Sequence, residues 1–371
     1  MSENKAFIFQ SFPELDGKLP WIGLGEFPTR VEPLKVLGEK LGLSQLWLKR
    51  EDLSSTEYGG NKVRKLEFLL ADARARGRDA VLTLGAAGSN HVLATTVHAR
   101  ALGLKSLAVM IPQPVQEYAR NNLLANFNLG CEIHYVQNEL AVPWAVIKTY
   151  LSHWDRKQDH RPYFIWAGGS SPLGTLGYVN CGLEIADQVK KGELPDPDYI
   201  FCAIGSCGTF AGLWLGCKLA GLKARVIGVR VYEYLGANEY MVAHFARSAL
   251  KLIRGHDRSI PAVKINHRQF HILHQYCGPG YAHFTRRGVE AVRLAEDIEN
   301  IKLEGTYTGK AFAGLMGFAQ ESKLRDEVLL FINTYNSSDL SRFVNINPDY
   351  RRLPEALHPY FEKKVADTEE G

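Results

Sequence analysis

The chain has 371 residues, of which 46% are hydrophobic and 23% are charged. This balance is typical of a globular protein with a sizeable core, and the length favours two lobes over one. The formal net charge of +4 is small, and basic residues are interspersed with acidic ones, so no nucleic-acid partner is indicated. The first residues lack the pattern of a secretion signal, and no segment stays apolar for the length of a membrane span. We therefore expect a cytoplasmic protein without a membrane partner.

Six cysteines occur without a regular spacing, at positions 131, 181, 202, 207, 217 and 277. No CxxC pair and no histidine-rich segment accompanies them. We expect reduced thiols that form neither a disulfide framework nor a metal site.

Extended and helical patterns alternate along the chain. Apolar strands are predicted at 46–49, 80–84, 106–111 and 132–136, with helices at 65–76, 91–102 and about 117–129 between them. A second set of strands is predicted at 199–204, 224–231 and 327–332. A glycine follows each of the helices, as is typical of helix C-caps. This succession predicts an α/β fold of two lobes, each built on an open, twisted and mostly parallel sheet.

Two segments do not fit this alternation. Residues 237–270 are rich in charge and helix formers, and we expect an insertion over the surface. The tail after about residue 348 is expected to be peripheral.

A glycine-rich turn follows the predicted strand 199–204 and opens an apolar helix. Its backbone N–H groups, its two hydroxyls and the positive end of the helix dipole suit a phosphate. The turn lacks the Gly-Lys-Ser/Thr of a Walker loop and the GxGxxG dinucleotide pattern. A turn that only caps the helix is the competing interpretation. The candidate binding residues are Gly205, Ser206, Cys207, Gly208 and Thr209.

A lysine, Lys62, follows Gly59-Gly60-Asn61 at the start of a predicted helix. The helix dipole would lower the pKa of its amine and favour the neutral form, which can react with an aldehyde. Most lysines at helix starts are simply solvated, so this feature alone does not establish catalysis.

Two further segments carry polar groups at helix starts. Ser89-Asn90-His91 follows a buried strand and could hold a carboxylate, although a helix cap fits equally well. Tyr307 lies on the turn-rich segment 304–310, where a tyrosine can serve in proton transfer or merely pack at a surface.

Taken together, these segments resemble the family of D-cysteine desulfhydrases and 1-aminocyclopropane-1-carboxylate deaminases, in the tryptophan synthase β-like group (fold type II) of pyridoxal phosphate enzymes. The resemblance covers nearly the whole chain and is densest at 49–53, 59–67, 89–91, 168–179, 205–209 and 307–310. It implies pyridoxal 5'-phosphate as cofactor, a small amino acid as substrate and a homodimer. It also implies a smaller domain at 65–178 and a larger cofactor-binding domain formed by 1–64 and 179–371.

The resemblance also implies roles for individual residues. Lys62 would carry the cofactor as a Schiff base and later move protons, and the 205–209 turn would hold the phosphate. Ser89, Asn90 and His91 would bind the substrate carboxylate, and Tyr281 and Tyr307 match two active-site tyrosines. The implied catalytic residues are Lys62, Ser89, Tyr281 and Tyr307. The implied cofactor ligands outside the turn are Lys62, Asn61, Asn90, Thr308 and Thr334.

Several positions depart from the family pattern. Thr308 stands where the deaminases place a glutamate beside the pyridine nitrogen, which favours β-elimination over ring opening. Residues 333–336 replace a His-Thr-Gly-Gly segment, and Cys207 and Ala282 replace glycines.

The leading interpretation is a D-cysteine desulfhydrase-like lyase that releases a 2-oxo acid and ammonia. The alternatives within the enzyme class are a 1-aminocyclopropane-1-carboxylate deaminase, an L-cysteate sulfo-lyase and an amino acid racemase. A pyridoxal phosphate-binding protein without turnover is the alternative from another class.

Overall fold

A computed structural model describes residues 5–155, 160–233 and 236–366. The described residues form two sheets, one in each of two lobes. The first has six strands in the order β1-β2-β10-β7-β8-β9, and the second has four in the order β5-β4-β3-β6. The pairing of β1 with β2 is antiparallel, and the other described pairs of strands are parallel. The predicted α/β fold with two mostly parallel lobes is confirmed.

The strands are short and apolar. Their bounds are β1 Val31–Pro33, β2 Gln45–Lys49, β3 Ala80–Ala86, β4 Lys105–Ile111, β5 Glu132–Tyr135, β6 Tyr163–Ile165, β7 Tyr199–Ile204, β8 Arg225–Arg230, β9 His271–Leu273 and β10 Val328–Ile332. The central strands are buried along most of their length, as is usual where helices cover both faces of a parallel sheet.

Helices alternate with strands along most of the chain, as parallel strands require for their crossover connections. Their bounds are α1 Phe7–Ser11, α2 Lys35–Leu41, α3 Lys62–Ala75, α4 Asn90–Ala101, α5 Glu117–Asn128, α6 Val142–Ser152, α7 Pro172–Lys190, α8 Gly208–Leu219, α9 Glu239–His256, α10 Arg286–Glu299, α11 Thr308–Glu321, α12 Ser341–Val344 and α13 Pro359–Glu362. No helix among the described residues is long and apolar enough to cross a membrane.

Two hydrophobic clusters lie on opposite faces of the six-stranded sheet. One contains buried side chains of α7, α8 and α9, and the other contains those of α10 and α11. The sheet is therefore covered on both faces, and its strand ends remain available for a binding site.

The expectation of a surface insertion at 237–270 is wrong. Helix α9 buries Val242, Ala246 and Ile253 in the core of the first lobe, because these residues recur on one face of the helix. The charge of the segment lies on the opposite, exposed face.

The expectation of a peripheral tail is also wrong for residues 353–366. Leu353, Leu357 and Tyr360 are buried in a cluster with residues of α4, α5 and β4. The N–H of Ala366 donates to the carbonyl of Val115 over 2.8 Å. The segment 353–366 therefore packs against the second lobe. The predicted domain limits stay a prediction, and they fall inside α3 and α7.

A buried ionic cluster joins the elements behind the candidate site. Arg64 on α3 donates to Glu51 over 2.6 Å and to Glu184 on α7 over 2.9 Å, and Lys49 on β2 donates to Glu184 over 2.6 Å. All four side chains are fully buried. Charges taken this far from water need these partners, so the cluster fixes α3, whose first residue is Lys62, against β2 and α7.

Candidate active site

One cavity of about 990 Å³ lies where the carboxyl ends of β3, β7 and β10 meet the first residues of α3, α4 and α8. This is the usual place for a ligand in an open α/β sheet, since strand ends and helix N-termini converge there. Its volume is at the upper end of the range of about 300–1,000 Å³ that is common for small-molecule sites.

The turn between β7 and α8 approaches its neighbours closely. A Cβ atom on Gly208 would lie 2.6 Å from Oγ of Ser170, and one on Gly205 would lie 3.0 Å from the ring of Tyr307. Cys207 has a φ of +66°, in the left-handed region that favours glycine. This conformation explains why a glycine is usual at that position.

Polar groups converge on this turn. The hydroxyl of Ser170 donates to Oγ of Ser206 over 2.8 Å, and the N–H of Gly208 donates to Oγ of Ser170 over 3.3 Å. Nζ of the buried Lys65 lies 3.0 Å from the carbonyl of Gly168 and 3.3 Å from Oγ of Ser170. The hydroxyl of Ser206, the N-terminus of α8 and the amine of Lys65 are thus all within hydrogen-bond distance of the Ser170 hydroxyl.

The amine of Lys62 opens on the same cavity. Its Nζ donates to Oδ1 of Asn61 over 3.1 Å, and Nδ2 of Asn61 donates to Oγ1 of Thr209 over 3.0 Å. Burial lowers the pKa of Lys62 to about 8. A substantial fraction of the amine is therefore neutral near physiological pH, as a nucleophile or a base requires.

The turn that precedes Lys62 is held by the segment after β10. The N–H of Gly59 donates to Oδ1 of Asn336 over 2.7 Å, and the N–H of Asn61 donates to the carbonyl of Thr334 over 3.2 Å. Gly60 has a φ of +89°, and a Cβ atom there would lie 2.8 Å from the carbonyl oxygen of Tyr335. The side chain of Asn336 therefore stabilises the turn that precedes Lys62.

The side chain of Tyr335 lines the cavity, where burial raises its pKa to about 12. Its hydroxyl is therefore protonated at neutral pH. The departure from the family pattern at 333–336 thus places an aromatic ring in the cavity wall.

The 89–91 segment forms the start of α4. Ser89 is the N-cap, and its Oγ accepts from the N–H of Val92 over 3.4 Å. Oδ1 of Asn90 accepts from Nδ2 of Asn122 over 2.9 Å and from the hydroxyl of Tyr58 over 3.3 Å. These two donors fix the orientation of the Asn90 amide, so its NH₂ group remains for a ligand in the cavity.

His91 lies deeper than its two neighbours. Its Nε2 lies 2.9 Å from Oγ1 of Thr83 on β3. Burial, followed by the nearby ammonium groups of Lys62 and Lys65, lowers the pKa of His91 well below its usual range. The imidazole is therefore neutral and cannot act as a cationic carboxylate ligand.

Two tyrosines stand opposite α4. The rings of Tyr281 and Tyr307 are 5.9 Å apart at 76°, and both residues line the cavity. Burial raises the pKa of both phenols, so both stay protonated at neutral pH. A paired phenol of this kind can pass a proton to a leaving group and recover it from its neighbour.

Glu304 fixes the Tyr307 segment. Its carboxylate accepts from the N–H of Thr306 over 2.8 Å, of Tyr307 over 2.6 Å and of Thr308 over 3.0 Å. Burial raises the pKa of Glu304, although the three N–H donors oppose that shift. The start of α11 is thereby held in one conformation.

The structure brings most of the predicted site residues to one cavity. They are Asn61, Lys62, Ser89, Asn90, His91, Gly205, Ser206, Cys207, Thr209, Tyr281, Tyr307 and Thr334. Gly208 contributes its backbone at the edge of the turn. Thr308 does not line the cavity, because its Oγ1 accepts from the N–H of Glu304 over 2.9 Å.

Several residues around the cavity were not predicted. Lys65 carried a signal, since it lies one helical turn after Lys62 on the same face of α3. Tyr58, Asn122 and Glu304 carried none, because their positions depend on the packing of distant elements.

The family described as pyridoxal-phosphate dependent enzyme matches residues 22–334 of the chain. The chain belongs to this family. The predictions of an enzyme and of pyridoxal phosphate as its cofactor are thereby confirmed.

Individual members of the family are similar over most of the chain. The D-cysteine desulfhydrases of Salmonella newport and Salmonella typhimurium are each 36% identical over 322 residues, which is 85% of this chain and 94% and 93% of theirs. A crystal structure of an ACC deaminase homologue is 30% identical, with a TM-score of 0.75, and the match covers 91% of this chain and 99% of that one. Threonine deaminase isoform 2 from Solanum lycopersicum has a TM-score of 0.57 at 17% identity, which shows the shared fold alone.

The geometry of the 205–209 turn fits the phosphate of the family's cofactor. Lys65 has no carboxylate within salt-bridge distance among the described residues, and burial lowers its pKa well below the usual range. A buried ammonium without a counter-ion is unfavourable, and a phosphate beside Ser170, Ser206 and Gly208 would neutralise it. The amine of Lys62 is linked to the same turn through Asn61, so one ligand can reach both.

Proposed function

We propose that the protein is a lyase that removes a β-substituent from a small amino acid and releases a 2-oxo acid and ammonia, and its similarity to D-cysteine desulfhydrases supports this proposal. One observation carries this proposal. The amine of Lys62 faces a cavity in which a phosphate turn, a helix N-terminus and a pair of protonated tyrosines are also present.

Each group has a distinct task in this proposal. Bound pyridoxal phosphate would supply the electron sink. The backbone N–H groups at the start of α4 and the NH₂ group of Asn90 would hold the substrate carboxylate. Lys62 would take the proton from Cα, and the pair Tyr281 and Tyr307 would protonate the departing group.

Two features favour the desulfhydrase reaction over its alternatives. The described lining of the cavity contains no arginine, and its one lysine is Lys62, which disfavours a sulfonate leaving group. The position of the deaminase glutamate is Thr308, whose side chain is engaged with the backbone of Glu304.

Product analysis separates the candidates. Holoenzyme would be given D-cysteine, L-cysteine, L-cysteate and 1-aminocyclopropane-1-carboxylate in turn. We expect sulfide, pyruvate and ammonia in equal amounts from a cysteine enantiomer and none from the Lys62→Ala variant. Sulfite from L-cysteate, 2-oxobutyrate from the cyclopropane substrate, or the opposite enantiomer without a 2-oxo acid would assign the respective alternative instead.

We also propose a cytoplasmic homodimer with the domain division at 1–64 plus 179–371 and 65–178. The resemblance to the family supports these features. Light scattering of the purified protein would measure the oligomeric state, and a mass of one chain would contradict the dimer.

A further inference from the structure

The cavity is lined in part by aromatic and apolar side chains that have no task in the proposed lyase chemistry. An aromatic wall runs outward from the 205–209 turn, because Tyr307 contacts Gly205, Tyr281 contacts Tyr307, and Tyr232 lies 5.3 Å from Tyr281 between ring centroids at 71°. Edge-to-face contacts of this kind leave ring faces and edges available to a further apolar group.

Both lobes contribute apolar side chains to the mouth. Met241 and Phe245, one turn apart on α9, line the cavity, and so do Val142 and Pro143 at the start of α6. Trp166 follows β6 and is 61% exposed. A large aromatic side chain that stays this exposed at the entrance of a cavity is available to contact a ligand.

The charged residues that line the cavity also favour an uncharged, apolar group on the ligand. Glu139 and Glu233 are among the residues that line the cavity, and Lys62 is the one lysine or arginine among its described lining residues. The inner end already provides N–H donors for the substrate carboxylate. An additional anionic group on the ligand would meet these acidic residues, whereas an uncharged group would not.

We infer that the substrate class is cysteine with an apolar alkyl or aryl group on sulfur, and that Tyr232 and Phe245 select it. This inference rests on the proposed lyase function. In this inference the substituent on sulfur binds at the aromatic wall and the mouth of the cavity. The amino acid part of the substrate binds between Lys62 and Ser89.

The reaction balances without a further reactant. The Cα–H bond breaks and its proton goes to Nζ of Lys62, the electron pair forms a Cα–Cβ double bond, and the Cβ–S bond breaks with its pair on sulfur. A proton from the Tyr281 and Tyr307 pair converts the thiolate to a thiol. Water then hydrolyses the enamine product, so one S-substituted cysteine and one water give one thiol, one pyruvate and one ammonia.

A pair of substrates and three variants test the inference. For holoenzyme, kcat/KM would be measured for both enantiomers of cysteine and of S-benzylcysteine by pyruvate release. We expect kcat/KM for S-benzylcysteine of the accepted configuration to exceed that for cysteine by about tenfold, because the benzyl group gains aromatic contacts and is removed from water. Tyr232→Ala and Phe245→Ala should each reduce this ratio about five- to tenfold.

The matched control is Tyr240→Ala. Tyr240 lies on the same helix as Phe245, is 65% exposed and stacks on His267 away from the cavity, so the ratio should not change. Turnover of cysteine with no preference for S-benzylcysteine, or a ratio that Tyr232→Ala and Phe245→Ala leave unchanged, would overturn the inference and leave the lyase function intact. Absence of pyruvate from all four compounds would overturn both.

Discussion

Asn61 donates a hydrogen bond from Nδ2 to Oγ1 of Thr209 over 3.0 Å, and this contact connects the start of α3, where Lys62 lies, to the glycine-rich turn at 205–209. The same amide accepts from Nζ of Lys62 through its oxygen. One side chain therefore sets the distance between two parts of the site that come from different elements, α3 and α8.

Removal of this link should weaken cofactor binding. We expect Asn61→Ala to raise the Kd of pyridoxal phosphate about tenfold, because two hydrogen bonds of about 1 kcal/mol each are lost and partly replaced by water. Titration of the apo-protein followed by the absorbance of the bound cofactor measures this change. Thr209→Ser, which keeps the hydroxyl, is the control and should bind within about twofold of the native protein. An Asn61→Ala protein with native affinity would show that the link is incidental.

The low pKa of Lys62 makes the stability of the apo-protein depend on pH. Between the folded pKa of about 8 and the ordinary value of 10.5, the folded state binds fewer protons than the unfolded state, so stability rises with pH in this window. Below pH 8 the buried amine is charged in the folded state, and its full desolvation penalty then lowers the free energy of unfolding. Lys62→Met should therefore stabilise the apo-protein by about 1–3 kcal/mol at pH 7, with a smaller gain at pH 10.

Urea denaturation at pH 7, 8, 9 and 10 measures this dependence. The exposed Lys251 provides the control, and Lys251→Met should change stability equally little at every pH. A constant difference between Lys62→Met and the native protein across the range would contradict the lowered pKa.

Two residues with left-handed backbone conformations provide a test of strain. Cys207 and Ala282 have φ values of +66° and +60°, and the resemblance to the family implies a glycine at both positions. A residue with a Cβ atom costs about 1–2 kcal/mol there, of which the greater flexibility of an unfolded glycine cancels part. We expect Cys207→Gly and Ala282→Gly each to raise the free energy of unfolding by about 0.5–1 kcal/mol. Ala220→Gly, at a right-handed position after α8, should lower it.

Removal of Arg64, the central cation of the buried ionic cluster, should strongly lower the free energy of unfolding. Arg64→Met leaves Glu51 and Glu184 buried with fewer partners, and we expect it to cost about 3–5 kcal/mol of unfolding free energy. The exposed pair of Arg286 and Glu290 is the comparison, and Arg286→Met should cost less than about 0.5 kcal/mol. Equal losses in the two variants would show that the cluster does not stabilise the fold.

Local motifs made part of this molecule predictable from its sequence. The strand, glycine turn and helix at 199–219 and the lysine after Gly59-Gly60 are continuous in the chain, so their geometry follows from adjacent residues. The predicted residues of those motifs accordingly lie at one cavity.

Features that depend on packing between distant segments were not predictable. Asn122 orients Asn90 from another helix, and Tyr335 enters the cavity from the segment after β10. Helix α9 did carry a readable signal, since its buried residues recur every three to four positions, but its charged residues concealed it. Thr308 follows Tyr307 in the sequence, but its side chain does not point into the same cavity. The start of α11 turns the Thr308 side chain towards the backbone of Glu304.

The central claim is that the amine of Lys62 is the group that reacts with pyridoxal phosphate. Reduction of the holoenzyme with borohydride, followed by digestion and mass spectrometry, measures this directly. We predict that the phosphopyridoxyl group is found on Lys62 and is absent from Lys65, which lies one helical turn away at the phosphate turn. A label on Lys65, or a label retained by the Lys62→Ala protein, would contradict the account.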